Sequence, residues 1–246
     1  MTPQVKPMTQ SSAASNTFAP ALSHGPIVEV FADIFQVTGS FRMGPGVVIT
    51  RNMTILRQAG ELTLVNSVRL TPAGLAELDK LGKVTNLMKI GAFHGMDDPF
   101  YVDRYQPKFW APPGVRHSAG LQHTADLTDG LEPLPNTSVF AFAHGKHPEV
   151  ALIIARHGGL LLTCDSLQNW TSFAGASLLA KVVLSVLGFG PKHIGGPWTK
   201  AMGPGVRQDL VRLLDMPFAT LLPAHGTVLR DHAKEGLREA ITKRFG

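Results

Sequence analysis

The chain has 246 residues, is 44% apolar and 17% charged, carries a net charge of +5 with histidine neutral, and holds one cysteine. That length can bury the core of one large domain, while a lone thiol excludes an internal disulfide and a thiol-rich zinc site, so any transition metal must rely on the ten histidines and eighteen acids. The basic residues are interleaved with acids, as in RDHAKEGLREAITKRFG, rather than gathered into a stripe with aromatics, which argues against a nucleic-acid partner. No run approaches the roughly 20 apolar residues that a membrane span needs.

Residues 1–26 are rich in Ser, Thr, Pro and Ala, show no apolar signal-peptide core, and read as a flexible tail ahead of one domain over 27–246. Cytoplasmic localisation is the expectation, with a small-molecule partner; nothing sets the oligomeric state. IVEVFADIFQV, GVVITRNMTIL and ELTLVNSVRL follow as strands joined by MGPG and QAG turns. TPAGLAELDKLG predicts a helix capped by Thr71, with Pro72 in its first turn, Leu75, Leu78 and Leu81 on one face and Gly82 as its stop. KVTNLMKIGAF reads as a buried strand ending at His94, PFYVDRY as a short helix, and KFWAPPG as a strand. Residues 115–136 form a polar, irregular excursion.

SVFAFAH and EVALIIAR are the next strands, and HGG at 157–159 can turn the second into LLLTCDS as a hairpin. SFAGASLLAKVVLSVLGF is a helix apolar on most sides and expected to be buried; RQDLVRLLDM is a second helix, FATLLPAHG a strand, and a helix from Asp231 closes the chain. MGPGV occurs at 43–47 and again at 202–206 in unlike surroundings, so it is turn chemistry and not a repeat. Strands without regular βα alternation argue for sheets packed face to face with helices outside, and against a doubly wound nucleotide fold.

Several apolar runs end in a metal-ligand type: His94 followed by Asp97 and Asp98, His144 followed by His147, then Asp165, then His225. Imidazoles and carboxylates converging from rigid sheet ends suit zinc, iron or manganese. With these residues the chain resembles the metallo-β-lactamase fold superfamily over about residues 27–246. The resemblance implies an α+β, four-layer αββα sandwich of two mixed sheets. His94 takes the first position of the family's His-x-His-x-Asp-His signature and Asp98 the fifth. Asp165 matches the metal-bridging acid, His225 the last histidine, and His147 or His144 the lone one, with His147 ahead.

The signature is degenerate, because Met96 and Pro99 stand where two of its histidines belong. The implied ligands are His94, Asp98, His147 or His144, Asp165 and His225, holding one ion or none, with Asp98 or Asp97 as proton acceptor. Each residue also has a structural reading: Asp98–Pro99 is a helix start, His94 closes a strand, and His225 before Gly226 serves a tight turn. Cys164 reads as small buried packing, Tyr101 and Tyr105 as a packed i, i+4 pair, and His24, His117, His123, His157, His193 and His232 as surface or loop residues. The implied function is metal-dependent hydrolysis of an ester, lactone, thioester or phosphoester; the alternative is a non-catalytic, metal-poor member that binds a small molecule or partner.

Overall fold

Local reversals build most of the first sheet. In the computed structural model, which describes residues 18–246, Val28–Phe31 (β1) turns at Ala32 and Asp33 into Ile34–Gly44 (β2), which returns as Val47–Gln58 (β3) and again as Glu61–Val65 (β4). Asp33, at φ 62°, makes IVEVFADIFQV a hairpin where one strand was expected. Asp is one of the few residues with a side chain that tolerates the left-handed region. Pro72–Leu81 (α1), capped by Thr71 Oγ accepting the Gly74 N–H at 3.3 Å, then returns the chain so that Lys83–Met88 (β5) runs parallel to β4. Asp98–Tyr105 (α2) leads into Lys108–Ala111 (β6), parallel to β5, and Ala125–Asp126 (β7) completes seven strands in sequential order.

The second sheet has the order β11-β10-β9-β8. Thr137–Ala141 (β8), Val150–Ile154 (β9) and Leu160–Thr163 (β10) are antiparallel, the β9–β10 turn being the expected one at 157–159. The chain then leaves through Leu178–Val186 (α3), Gly196–Met202 (α4) and Val206–Leu213 (α5) and returns as Thr220–Pro223 (β11), parallel to β10; Ala233–Phe245 (α6) ends it. Helix α4 has no counterpart in the sequence reading. Its segment GGPWTKAMGPG is punctuated by Gly and Pro like a turn, yet Pro197 falls in the first helical turn, where its missing N–H costs nothing.

Three buried layers separate these elements. Leu75, Leu78, Phe100 and Tyr101 of α1 and α2 pack on Val37, Ile55 and Leu64 of the first sheet. Ile34, Leu56, Val65 and Met88 meet Leu152, Leu162 and Leu222 between the sheets. Trp198, Val206, Leu210 and Leu237 of α4, α5 and α6 cover the outer face of the second sheet. Both sheets are mixed, and the order of layers is helix, sheet, sheet, helix, as the sequence implies.

Three other expectations are corrected. Helix α3 buries only Ala180 and Leu184; Leu178 (81% exposed), Val182 and Val186 (80%) point outward, because the helix lies over the end of the β2–β3 hairpin rather than within a layer. The strand expected to reach His94 ends at Met88, leaving His94 in a loop. His193 is buried, its backbone bridged to Gln168. Of the stretch 1–26, residues 1–17 lie outside the described residues, while His24 bridges Gly39 and its Nε2 meets Thr71. No helix among the described residues is long and apolar enough to cross a membrane.

Leu152 lies fully buried on β9 at the centre of the inter-sheet layer, so Leu152→Ala should cost about 2–5 kcal/mol of unfolding free energy in a urea titration. Burial, aided by Arg244 and Lys243, pushes His193 down from 6.5 to about 4. The unfolded chain therefore binds a proton that the native state refuses between these values, and stability present above pH 6.5 is lost as pH falls toward 4. Urea titrations across that window should show a shallower loss for His193→Gln than for the wild type.

Candidate active site

The parallel register of β10 and β11 sets the first two donors side by side. Thr163 pairs with Pro223, so two residues later along each strand Asp165 and His225 leave the sheet at the same edge. The Ala224 N–H donates to the Thr163 carbonyl at 3.0 Å, carrying the pairing up to that point. Asn52 on β3 clamps the turn from the other sheet, its Nδ2 donating to the Pro223 and Gly226 carbonyls at 3.0 and 2.8 Å. Gly226 has φ +88°, and a Cβ there would strike the Asn169 carbonyl oxygen, so only glycine fits beside His225. Trp170 stacks on the imidazole, with ring centroids 5.6 Å apart and planes 19° apart.

His94 arrives from the first sheet. Its loop is stitched to the second by the Val150 N–H donating to the Ile90 carbonyl at 2.8 Å and by a bridge between Gly91 and Glu149. A Cβ on Gly91 would lie 2.5 Å from Cys164 Sγ, so the loop can come this close to the end of β10 only because residue 91 is glycine. His94 Nε2 then stands 3.0 Å from His225 Nε2 and 3.6 Å from Asp165 Oδ2, and His225 Nε2 is 3.3 Å from Asp165 Oδ1.

These three distances, two of which run to different oxygens of the Asp165 carboxylate, compare with about 3.3 Å between donors of a tetrahedral site with metal–ligand bonds of about 2.0–2.1 Å. His225 Nδ1 lies 2.9 Å from the Thr50 carbonyl, which can only accept, so Nδ1 carries the hydrogen and Nε2 presents its lone pair to the centre. Two imidazole nitrogens this close need a shared proton or a shared cation. Burial disfavours the proton on His94, with Asp165 opposing, while His94 Nδ1 is buried without a partner. Burial would also raise the Asp165 carboxyl, but His94 and His225 together outweigh it and hold the group well below the usual carboxylate range. The donor set thus fits a divalent ion: two imidazoles, one ionised carboxylate and a pre-set tautomer.

Beneath Asp165 lies Glu149, fully enclosed, accepting from the Ser166 N–H at 3.1 Å and from Trp198 Nε1 at 2.8 Å. Burial, reinforced by the Asp165 charge, pushes it up to about 8, so at neutral pH it holds its proton and adds no second negative charge. Cys164 Sγ groups with the donor atoms of His94 and Asp165 within 4.8 Å and lies 3.6 Å from Asp165 Oδ2. Burial raises this thiol well above its usual range, leaving it neutral.

The other sequence candidates do not join the three. Asp97 accepts from buried Arg51 and, at 2.7 Å, from the Arg69 N–H. Asp98 accepts from Ser67 Oγ at 2.6 Å, and its carboxyl, raised by burial, has Ser67 and Lys89 to oppose the shift. It does not cap α2; Asp97 occupies the cap position and makes no side-chain cap bond. His144 is exposed and stapled to α5 through Asp209, with its N–H at 2.8 Å and Nδ1 at 2.9 Å from the carboxylate. His147 is exposed and packs edge-on against Phe93, 5.2 Å between centroids, one ring away from His94. Met96 is exposed. Tyr101 stacks on Tyr105 and donates to the Val68 carbonyl at 2.7 Å from full burial, out of reach of a substrate. Sequence reasoning missed Thr50, Asn52, Arg51, Lys89, Glu149 and Trp170. Each contacts a segment remote in the chain, and Arg51, Lys89 and Glu149 carried an advance signal, as charges within or beside apolar runs.

Asp165 and His225 form the floor of a cavity of about 340 Å³. Met43, Val47 and Ile49 of the β2–β3 hairpin, Val183 and Leu184 of α3, and Trp198 of α4 are among its walls. The arrangement of two mixed sheets between helices matches solved structures along nearly their whole length. VMB-1 at pH 5.5 superposes with a TM-score of 0.67 at 10% identity, covering 89% of this chain and 97% of that one. A metallo-β-lactamase from Pontibacter korlensis gives 0.64 at 10%, covering 89% and 99%. The chain has the metallo-β-lactamase fold. The metallo-β-lactamase FIM-1 from Pseudomonas aeruginosa, solved in a mono-zinc form, gives 0.61 at 13%, covering 91% and 97%. No family model matches the chain, and no curated relative does. Of the residues singled out in the sequence, His94, Asp165 and His225 lie together, while Asp97, Asp98 and His144 are engaged by other side chains.

The Asn52 clamp yields a direct test. Asn52→Ala leaves the Pro223 and Gly226 carbonyls without their donor and should cost about 1–3 kcal/mol in chemical denaturation, with the fluorescence of Trp170 shifting as His225 loosens.

Proposed function

We propose that this protein is a metal-dependent hydrolase in which His94, Asp165 and His225 hold one divalent ion, zinc, iron or manganese, and act on an ester, lactone, thioester or phosphoester. The supporting observation is the mutual approach, within 3.6 Å, of two imidazole nitrogens and the two oxygens of the Asp165 carboxylate, with Asp165 and His225 lining a cavity and His225 already in the lone-pair tautomer. Three protein donors beside a cavity are what a catalytic zinc site keeps, in contrast to the closed four-ligand shell of a structural one. A divalent ion there would supply Lewis acidity to the oxygen of the bond under attack. The chain's own residues do the remaining work: Thr50 and Trp170 fix the His225 imidazole, Asp165 stays ionised, and the apolar walls keep water from the rest of the substrate. A small molecule is the partner that a cavity of this size admits.

A second reading, a metal-poor member that only binds a ligand, is favoured by the engagement of Asp97 and Asp98. Arg51 and Ser67 bond them, Lys89 is buried nearby, and Met96 and Pro99 add no nitrogen donor for a second ion. The two readings separate on metal content. Untagged protein prepared without chelator should contain about one transition-metal ion per chain by mass spectrometry, and Asp165→Ala should reduce this to background together with hydrolysis of an ester panel. Zinc at 100 times its dissociation constant should stabilise the wild type by about 2.7 kcal/mol and leave Asp165→Ala unchanged. A wild type that retains no metal and melts at the same temperature with and without chelator would establish the second reading.

A further inference from the structure

The cavity above Asp165 and His225 carries information about the substrate that the donor set does not. Its polar side chains, among the described residues, are Asp165, Gln168 and His225, all at one end. Gln168 is already committed: its Nε2 donates to the Asp165 carbonyl at 3.2 Å and its Oε1 accepts from Trp170 Nε1 at 2.6 Å. The remaining walls are aliphatic or aromatic, from Met43, Val47 and Ile49 on one side to Val183, Leu187 and Phe189 on the other. Among the described residues no lysine or arginine lines this space. A phosphoryl group, or the carboxylate carried by a β-lactam, would therefore lie in an apolar chamber without a counter-charge, at a heavy desolvation cost.

Helix α3 extends the apolar surface to the outside. Val183 and Leu184 face the cavity, while Leu178, Leu179, Val182 and Val186 are exposed on the same helix, whose one charged residue is Lys181. A polar reacting end beside the donors and an apolar remainder along the walls is the chemistry of an amphiphile.

We propose that this cavity takes an unbranched acyl chain, making the substrate a medium-chain ester, lactone or thioester whose carbonyl lies beside His94, Asp165 and His225; this rests on the hydrolase reading above. About 340 Å³ packed at interior density holds roughly fifteen heavy atoms, and once the ester group and the first atoms of the leaving side occupy the polar end a chain on the order of eight to ten carbons remains. Each methylene moved from water into such a wall strengthens binding about four-fold until the cavity is full.

Binding of neutral 1-alkanols tests the cavity without calling on metal or catalysis, because Trp170 and Trp198 line it and report occupancy by their fluorescence. Titration with 1-hexanol, 1-octanol and 1-decanol should give saturable binding that tightens about four-fold per methylene and stops tightening near the decanol length. Ala201→Phe, which fills the chamber from α4, should abolish that dependence. Val183→Glu, at a partly exposed wall position where folding is spared, should weaken decanol at least ten-fold, with unchanged far-ultraviolet circular dichroism confirming the fold. Affinity that is flat along the series, or that survives both substitutions, overturns the proposal. In zinc-loaded protein, kcat/KM for p-nitrophenyl esters should rise from the butanoate to the octanoate. If the alkanols bind as described but no ester is cleaved and no metal is retained, the acyl cavity stands and the hydrolase reading fails. If short acetyl esters are cleaved as fast as octanoyl ones by a metal-loaded enzyme, hydrolysis stands and the acyl assignment fails.

Discussion

Parallel pairing between β10 and β11 is the constraint from which the site follows. A parallel pair aligns the ends of its strands, so Thr163 opposite Pro223 brings the residues just beyond, Asp165 and His225, to one edge although sixty positions separate them in the chain. A slip of one residue in β11 would turn His225 to the opposite face from Asp165, and the buried Leu161 and Leu162 with their neighbours on β11 hold the register against it. Asn52 then ties this edge to the other sheet, and the Gly91 approach to Cys164 lets the His94 loop close over it. Each later step depends on the first: without aligned strand ends there is no floor for His94 to reach.

Charge is distributed around this edge in a way that holds Asp97 and Asp98 apart from Asp165. Burying Asp97 and Asp98 requires cations or donors, and the chain supplies Arg51, Ser67 and Lys89. Lys89 is itself buried, its Nζ donating to the Arg116 carbonyl at 2.6 Å. These acids thereby belong to the scaffold under the His94 loop. Asp165 alone remains ionised toward the cavity, and Glu149 beneath it, holding its proton, spares it a repulsive neighbour. The centre that results is built from a single carboxylate and two imidazoles.

Much of the architecture was legible because it rests on local chemistry. Gly and Pro turns, the Thr71 cap and the apolar runs LLLTC and TLLP mark elements that the structure contains, and the loss of βα alternation marks the layered fold. His94, Asp165 and His225 were legible as residues that follow apolar runs. Less accessible was what each side chain meets, since Arg51 reaching Asp97 or Asp209 taking His144 depends on segments brought together only by the tertiary fold. The outward apolar side of α3 was misread for a related reason. An apolar helix normally implies burial on most faces, and nothing in LLAKVVLSV tells which face the rest of the molecule leaves open.

The crossover between the two aligned strands also divides labour along the chain. Residues 166–219 leave the sheet after Asp165 and return only for β11, and from this excursion come Trp170, Val183, Leu184, Phe189 and Trp198, a large part of the chamber wall. The donors are fixed by strand register, the turns that follow it and the first residues of the connection, Gln168 to Trp170, whereas the α3 part of the wall hangs from the connection farther on. The cavity wall and the His–Asp cluster are in this way drawn largely from separate stretches of polypeptide, so a substitution on α3 can reshape the one without touching the other.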